Sequence, residues 1–165
     1  LNEHHDRSAF SSGVADLDRY FQTQASQDAR RKVAATFVLI SDKTGIVGFY
    51  TLSAHSIRLS ELPDAVAKRL PKYPAIPVTL LGRLAVGLTH QGQKLGQFLL
   101  LDALRRSLEN TKQIGSVGVV VDALNETASR FYLHHDFTPL PGYDRKLFLP
   151  MSTISKLIGE SLGAK

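Results

Sequence analysis

The chain has 165 residues, 43% of them hydrophobic, and no cysteine. That length suits one domain with a buried core, and the absence of thiols excludes disulfides, thiolate metal sites and cysteine nucleophiles. A formal charge of +5 and a pI near 9.6 favour polyanionic partners such as RNA, a phosphorylated ligand or an acidic protein.

The first ten residues, LNEHHDRSAF, lack the apolar stretch of a signal peptide. No later apolar run is long enough to span a bilayer, so a cytoplasmic protein without membrane attachment is expected. His4-His5 reads as part of a terminus, and no His or acid positions show metal-ligand spacing, so no metal site is expected. Val14–Gln27 predicts a helix, with Leu17, Tyr20, Phe21 and Ala25 at helical spacing. Ala35–Ser41 and Ile46–Ile57 read as the strands of a hairpin turned at Asp42-Lys43-Thr44-Gly45. Leu59–Pro77 holds four of the seven prolines around a short Asp64–Leu70 helix, and is expected to be an irregular connection beside a substrate cleft. Val78–Val86 predicts a central strand. A long helix follows over Lys94–Glu109, with Leu95, Phe98, Leu99 and Leu101 as its apolar positions. Ser116–Val121 is a β-branched, buried strand, Glu126–His134 a short helix, and Asp136–Pro139 and Lys146–Leu149 closing strands. The tail Ser152–Lys165 is amphipathic through Ile154, Leu157, Ile158 and Leu162, and suits docking on the domain or on a partner. These elements predict one α/β (α+β) domain over 1–165, a mixed sheet flanked by helices.

Two segments carry chemistry. Residues 80–100 read LLGRLAVGLTHQGQKLGQFLL: a strand, the loop Gln91-Gly92-Gln93-Lys94-Leu95-Gly96, then a helix. Free backbone N–H groups and the positive end of the helix dipole meet in such a loop and suit a pyrophosphate, at a place where open α/β sheets bind ligands. Residues 116–137 read SVGVVVDALNETASRFYLHHDF. Asn125 stands where it can cap the helix that carries Phe131 and Tyr132.

Together the segments resemble the GNAT superfamily of N-acetyltransferases. The first matches its coenzyme A loop, Gln/Arg-x-x-Gly-x-Gly/Ala, with Lys94 at one usual Gly position. The second matches Asn-x-x-Ala-x-x-Phe-Tyr-x-x-x-Gly-Phe through Asn125, Ala128, Phe131, Tyr132 and Phe137, with Asp136 at the Gly position. The resemblance implies a mostly antiparallel twisted sheet, splayed between its fourth and fifth strands, with acetyl-CoA as cosubstrate. It implies that backbone groups of Leu84-Ala85-Val86 pair with pantetheine and that Gln91–Gly96 hold the pyrophosphate. Asn125 and Phe131 would then contact the cofactor, with Tyr132 the acid that protonates the departing thiolate.

A narrower resemblance covers Phe10–Ala29, Thr36–Ser53, Pro77–Leu101 and Arg145–Pro150. These segments look like acetyltransferase toxins of bacterial toxin–antitoxin pairs. The resemblance implies acetylation of the α-amine of aminoacyl-tRNA, a block on translation, and a ribbon-helix-helix antitoxin encoded nearby, with a homodimer left open. Arg30, Arg31, Lys32, Lys72 and Arg83 are the candidate RNA contacts. Glu61, Asp64, His55, His90, His134 and His135 are candidate bases, none with a diagnostic spacing. An α-amine, with a pKa of roughly 8, needs less help to lose its proton than lysine at about 10.4. Two alternatives stay open at this point: an acetyltransferase for a small amine, polyamine or protein N-terminus, and a non-catalytic CoA- or antitoxin-binding module.

Overall fold

The computed structural model describes residues 1–163, without the side chains of 161–163. The end of the expected docking tail, including the Leu162 side chain and residues 164–165, lies outside the described residues. In chain order come α1 (Ala15–Arg19), a π-helical turn (Tyr20–Gln24), α2 (Ala25–Arg30), β1 (Ala35–Ser41) and β2 (Gly45–Arg58). After a 3-10 turn (Leu59–Glu61) come α3 (Asp64–Ala67) and β3 (Ala75–Val86). A second 3-10 turn (Leu88–His90) precedes α4 (Leu95–Asn110), β4 (Gly118–Asp122), α5 (Glu126–His134), β5 (Thr138–Pro139), β6 (Lys146–Pro150) and α6 (Met151–Gly163). The strands form one sheet in the order β1-β2-β3-β4-β6-β5, antiparallel at β1–β2, β4–β6 and β5–β6. No described helix is long and apolar enough to cross a membrane. The chain divides into two compact units: Leu1–Ser53 with Leu81–Ala103, and Ala54–Leu80 with the chain from Leu104 onward.

Unit 1 is built around aromatic rings. Phe21 and Phe49 stack at 4.2 Å between centroids, and Phe10 meets both edge-on at 5.1 and 5.6 Å, geometries that suit the ring quadrupole. Tyr20, Ala25 and Ala85 complete this core. The first helix runs on past its expected end at Gln27 to Arg30, and contains a turn that the apolar spacing does not reveal. There the Ala25 N–H donates to the Tyr20 carbonyl, one residue further back than in an α-helix. Arg7 covers the turn, donating to the Phe21 carbonyl at 2.8 Å and to the Ser26 hydroxyl at 3.2 Å. Helix α4 buries Leu99, Leu100 and Ala103 within this unit. Of the expected apolar positions Leu99 is buried and Leu95 and Leu101 are half-buried, while Phe98 is exposed; the buried face turns instead toward Leu100 and Ala103, since successive helical residues are rotated by about 100°. The helix lies close enough to β2 that a Cβ on Gly48 would sit 2.7 Å from the Leu99 side chain.

Unit 2 packs Ile57, Leu62, Ile76, Val78, Val120, Leu140 and Phe148 into its own core. Strand β3 starts at Ala75, so Pro77, expected in the connection, lies inside it. The strand tolerates this proline because the residue is needed there only as an acceptor: its carbonyl takes the Val117 N–H at 2.9 Å. Strand β4 starts at Gly118, two residues later than expected. The Ser116 hydroxyl bonds the Gly118 carbonyl at 3.1 Å and Thr79 Oγ1 at 3.0 Å, local bonding that competes with a strand ladder. Helix α6 packs on β4 and β6 and buries Ile154 completely, so the described part of the tail docks on its own unit.

Gly118 is the tightest point of this packing. A Cβ there would lie 2.4 Å from the Phe148 ring and 2.6 Å from the Leu149 carbonyl oxygen. Gly118→Ala is expected to cost about 1–3 kcal/mol, the usual price of overpacking, read as a lowered urea midpoint with an unchanged slope.

Candidate functional site

The loop after β3 is a run of backbone amides without a close protein partner. Among the described residues, no backbone N–H from Gln91 to Gln97 finds an acceptor in the chain; the first that does is that of Phe98, on the Lys94 carbonyl at 3.2 Å. Two left-handed residues shape the loop, Gly92 at φ 82° and Lys94 at φ 59°. Lys94, which stands where the resembling family has Gly, thus takes the conformation that Gly would take freely. Every residue from Gln91 to Lys94 is exposed, and Leu95 and Gly96 are half-buried. Seven amides with the positive end of a 16-residue helix behind them make an electropositive point of the kind that attracts anions.

Gln91 holds this loop in place. Its side-chain amide donates to the Ser12 carbonyl at 2.9 Å and to the Val86 carbonyl at 3.1 Å. Both amide hydrogens are thereby engaged, so of Gln91 only the backbone N–H is left for an anion. His90 is tied by Thr44 at 3.1 Å and Thr89 at 3.0 Å, which anchors the loop to the hairpin turn. Ala85 is buried in the aromatic core of unit 1, while Leu84 and Val86 are half-buried.

Unit 2 carries the tyrosine. Asn125 caps α5, its Oδ1 accepting the Ala128 N–H at 2.9 Å, so the capping role open to this residue is realised through its oxygen. Tyr132 is 7% exposed, between Phe131 and Phe137, each at 5.3 Å between centroids. Burial pushes its pKa well above that of an ordinary tyrosine. Its hydroxyl finds no hydrogen-bond partner among the described residues, yet the one sealed, unpartnered side-chain polar atom there is Thr36 Oγ1. The Tyr132 oxygen therefore keeps some accessible surface: a ring held in apolar packing with a protonated, uncommitted hydroxyl. Asp136 closes the helix at φ 69°, again left-handed where the family has Gly. Arg145 ties down the turn before α5, donating to the Leu124 carbonyl at 2.9 Å and accepting the Ala123 N–H at 2.8 Å.

The candidate RNA contacts divide between the units. Arg30, Arg31 and Lys32 are exposed at the end of α2 in unit 1, and Lys72 is exposed in unit 2. Arg83 is half-buried, its guanidinium 3.4 Å from the centre of the Tyr20 ring, while the Tyr20 hydroxyl donates to Asp28 at 3.0 Å. This group of Arg83, Tyr20 and Asp28 is a partnership that sequence spacing did not disclose. Of the candidate bases, Glu61 is committed: it accepts from the Tyr143 hydroxyl and from the Arg58 N–H at 2.5 Å. Those two bonds, the tyrosine's first, hold its carboxyl below the usual carboxylate range. His135 bonds the Phe131 carbonyl at 2.7 Å; Asp64, His55 and His134 are exposed. Among the described residues no three potential metal ligands cluster.

No protein-family model matches the chain. It is 35% identical over 160 residues to a tRNA-acetylating toxin of Mycobacterium tuberculosis, covering 97% of this chain and 95% of that one. The chain belongs to the GNAT family of tRNA-acetylating toxins. Another relative, the probable toxin TacT of Sinorhizobium fredii, is 31% identical over 163 residues, 94% of this chain and 90% of its own. Among solved structures, AtaT complexed with acetyl-methionyl-tRNAfMet superposes with a TM-score of 0.87 at 30% identity, over 95% of this chain and 94% of that one. A tyrosine-to-phenylalanine mutant of KacT also gives 0.87 at 30% identity, over 93% and 92%. A tyrosine-to-phenylalanine mutant of AtaT, bound to the C-terminus of the antitoxin AtaR and acetyl-CoA, gives 0.81 at 28% identity, over 96% and 95%.

In this GNAT toxin the two left-handed residues that stand at family Gly positions, Lys94 and Asp136, lend themselves to a direct test. Lys94→Gly is expected to raise stability by about 0.5–1 kcal/mol by removing a Cβ from left-handed backbone, and Asp136→Gly by less, because Asp tolerates that region better. Chemical denaturation of the two variants beside the wild type measures both.

Proposed function

We propose that this protein transfers the acetyl group of acetyl-CoA to the α-amine of aminoacyl-tRNA and so blocks translation. The observation that carries the acyl-transfer reading is the run of unpaired amides from Gln91 to Gln97, whose geometry suits the diphosphate of CoA. Near full-length similarity to a tRNA-acetylating toxin and to AtaT solved with acetyl-methionyl-tRNAfMet supports the acceptor. Bound acetyl-CoA supplies an activated thioester. Leu84, Ala85 and Val86 are the proposed backbone partners of its pantetheine, Asn125 and Phe131 its further contacts. The amine nitrogen attacks the thioester carbon, the N–C bond forms and the C–S bond breaks. Tyr132 gives its proton to the leaving sulfur and regains one from the amine through water, so the proton lost by nitrogen ends on the thiol. A ribbon-helix-helix antitoxin is the proposed partner, in keeping with AtaT bound to the antitoxin AtaR.

Tyr132→Phe is expected to keep acetyl-CoA affinity and lose about 10²–10⁴-fold in kcat, the range of general acid catalysis; calorimetry and single-turnover kinetics separate the two. With the wild type, rate should climb through roughly pH 7–8 as the α-amine loses its proton. It should hold through pH 9, since burial raises the Tyr132 pKa and the acid stays protonated there.

Mass spectrometry of tRNA-linked amino acids after incubation with acetyl-CoA tests the acceptor. N-acetylated amino acid should accumulate, with an activity that falls with salt by a log–log slope of roughly −0.7 per phosphate contact on single strands. Arg30→Glu with Arg31→Glu should depress this activity and leave acetylation of a free amino-acid ester unchanged. Equal rates on tRNA and free ester at every salt concentration would instead assign the enzyme to small amines.

A further inference from the structure

Among the described residues three aromatic rings stand well out of the core: Tyr73 at 62% exposure, Phe98 at 56% and Tyr143 at 39%. Tyr143 is occupied, its hydroxyl on Glu61 and the Lys146 ammonium 4.7 Å from its ring centre. Phe98 lies in the first turn of α4 in unit 1, among Gln97 and the half-buried Leu101. Tyr73 differs from both. Among the described residues its ring enters no aromatic pair or cation–π contact and its hydroxyl no hydrogen bond, and it stands in the most basic short segment of unit 2.

Its backbone is fixed even though its ring is exposed. The Tyr73 N–H donates to the Pro71 carbonyl at 2.9 Å, a turn closed over three residues. Pro71 and Pro74 flank it, locking their own φ angles and restricting the residue before each. The ring is thus presented from a stiff support, and little backbone freedom is left to lose when something packs on it. Lys68, Arg69 and Lys72 are all exposed. No acidic residue lies between Lys68 and Tyr73, and among the described residues none of the three cations forms an ion pair. A bare aromatic face within a cluster of unneutralised cations is the arrangement that single-stranded nucleic acid recognises: stacking takes the base, the cations take the phosphates on either side.

We propose that Tyr73 is a stacking platform for an unpaired base at the amino-acid-bearing end of the tRNA, with Lys72 and the Lys68-Arg69 pair on the adjoining phosphates. This rests on the reading of the substrate as aminoacyl-tRNA, which carries its amino acid on an unpaired 3′ segment. Stacking needs only a π-face, so the platform serves any base and contributes affinity without selecting a sequence. An acidic peptide would use the same cations but has no need of an unoccupied ring.

The test compares wild type with Tyr73→Ala, Tyr73→Phe and Tyr73→Trp in two assays: steady-state kinetics on charged tRNA and on a free amino-acid ester, and quenching of 2-aminopurine placed near the 3′ end of a short single-stranded RNA. Tyr73→Ala should raise KM for charged tRNA about five-fold or more, leave the ester kinetics unchanged, and abolish the quenching. Tyr73→Phe and Tyr73→Trp should restore both. Unchanged tRNA kinetics in Tyr73→Ala beside an active wild type would overturn the proposal, as would an equal loss on tRNA and ester, or weakened binding of the antitoxin alone. A wild type inactive on every charged tRNA would sink the substrate reading by itself, and the quenching assay would still decide whether Tyr73 stacks on RNA.

Discussion

Buried backbone amides must be hydrogen-bonded, whereas the largely exposed loop between β3 and α4 leaves seven in succession without a close protein partner, open to solvent or a ligand. Helix starts always leave a few donors open. Here the run without a close protein acceptor extends back through Lys94 to Gln91, where the left-handed residues Gly92 and Lys94 turn the chain. Such a loop would collapse onto itself or onto water in many geometries. Three side chains hold it in place: Gln91 on the Ser12 and Val86 carbonyls, and Thr44 and Thr89 on His90. Ser12 is in turn fixed by Asp18, which accepts both its N–H and its hydroxyl. The first helix and the hairpin turn thus act as supports for the loop that is proposed to seat the diphosphate.

The tyrosine solves a different problem. A general acid for a thiolate must hold its proton at neutral pH and still reach the leaving group. In the proposed mechanism Tyr132 takes this role: apolar packing against Phe131 and Phe137 keeps it protonated, and among the described residues no partner ties up its hydroxyl. Had the hydroxyl been satisfied by a neighbouring carboxylate, as that of Tyr143 is by Glu61, it would be held in a structural bond. Two tyrosines in one unit therefore differ by what lies beside each oxygen: a carboxylate at Tyr143, and no partner among the described residues at Tyr132.

Much of this was legible in the chain itself. Helix α5 falls on its expected bounds because the cap, Asn125, and the apolar pair Phe131-Tyr132 are local signals. The two departures from family Gly, Lys94 and Asp136, keep the left-handed turns that their positions require, since the surrounding geometry outweighs a cost of about 1–2 kcal/mol. The π-turn at Tyr20–Gln24 was not legible: Leu17, Tyr20, Phe21 and Ala25 satisfy an α-helical period equally well. Nor were the brace from Gln91 to Ser12, the stack of Arg83 on Tyr20, or the bond from Tyr143 to Glu61. Each joins residues far apart in the chain, and single-sequence patterns carry no information on such pairs. Phe98 was misjudged for a related reason, because a leucine-rich helix offers more than one apolar stripe and only packing selects among them.

The interleaving of the chain also governs when the protein can exist in folded form during its own synthesis. Ile76 and Val78 contribute to a core whose other walls are Val120, Leu140 and Phe148. Phe148 emerges 70 positions after Val78, several seconds later at about 5–20 residues per second. Until then β3 has no β4 beside it, β4 has no β6, and the helix bearing Tyr132 has no sheet to pack on. A nascent or prematurely released chain therefore lacks a finished second unit, and the ribosome that makes this protein does so without a working copy tethered to it.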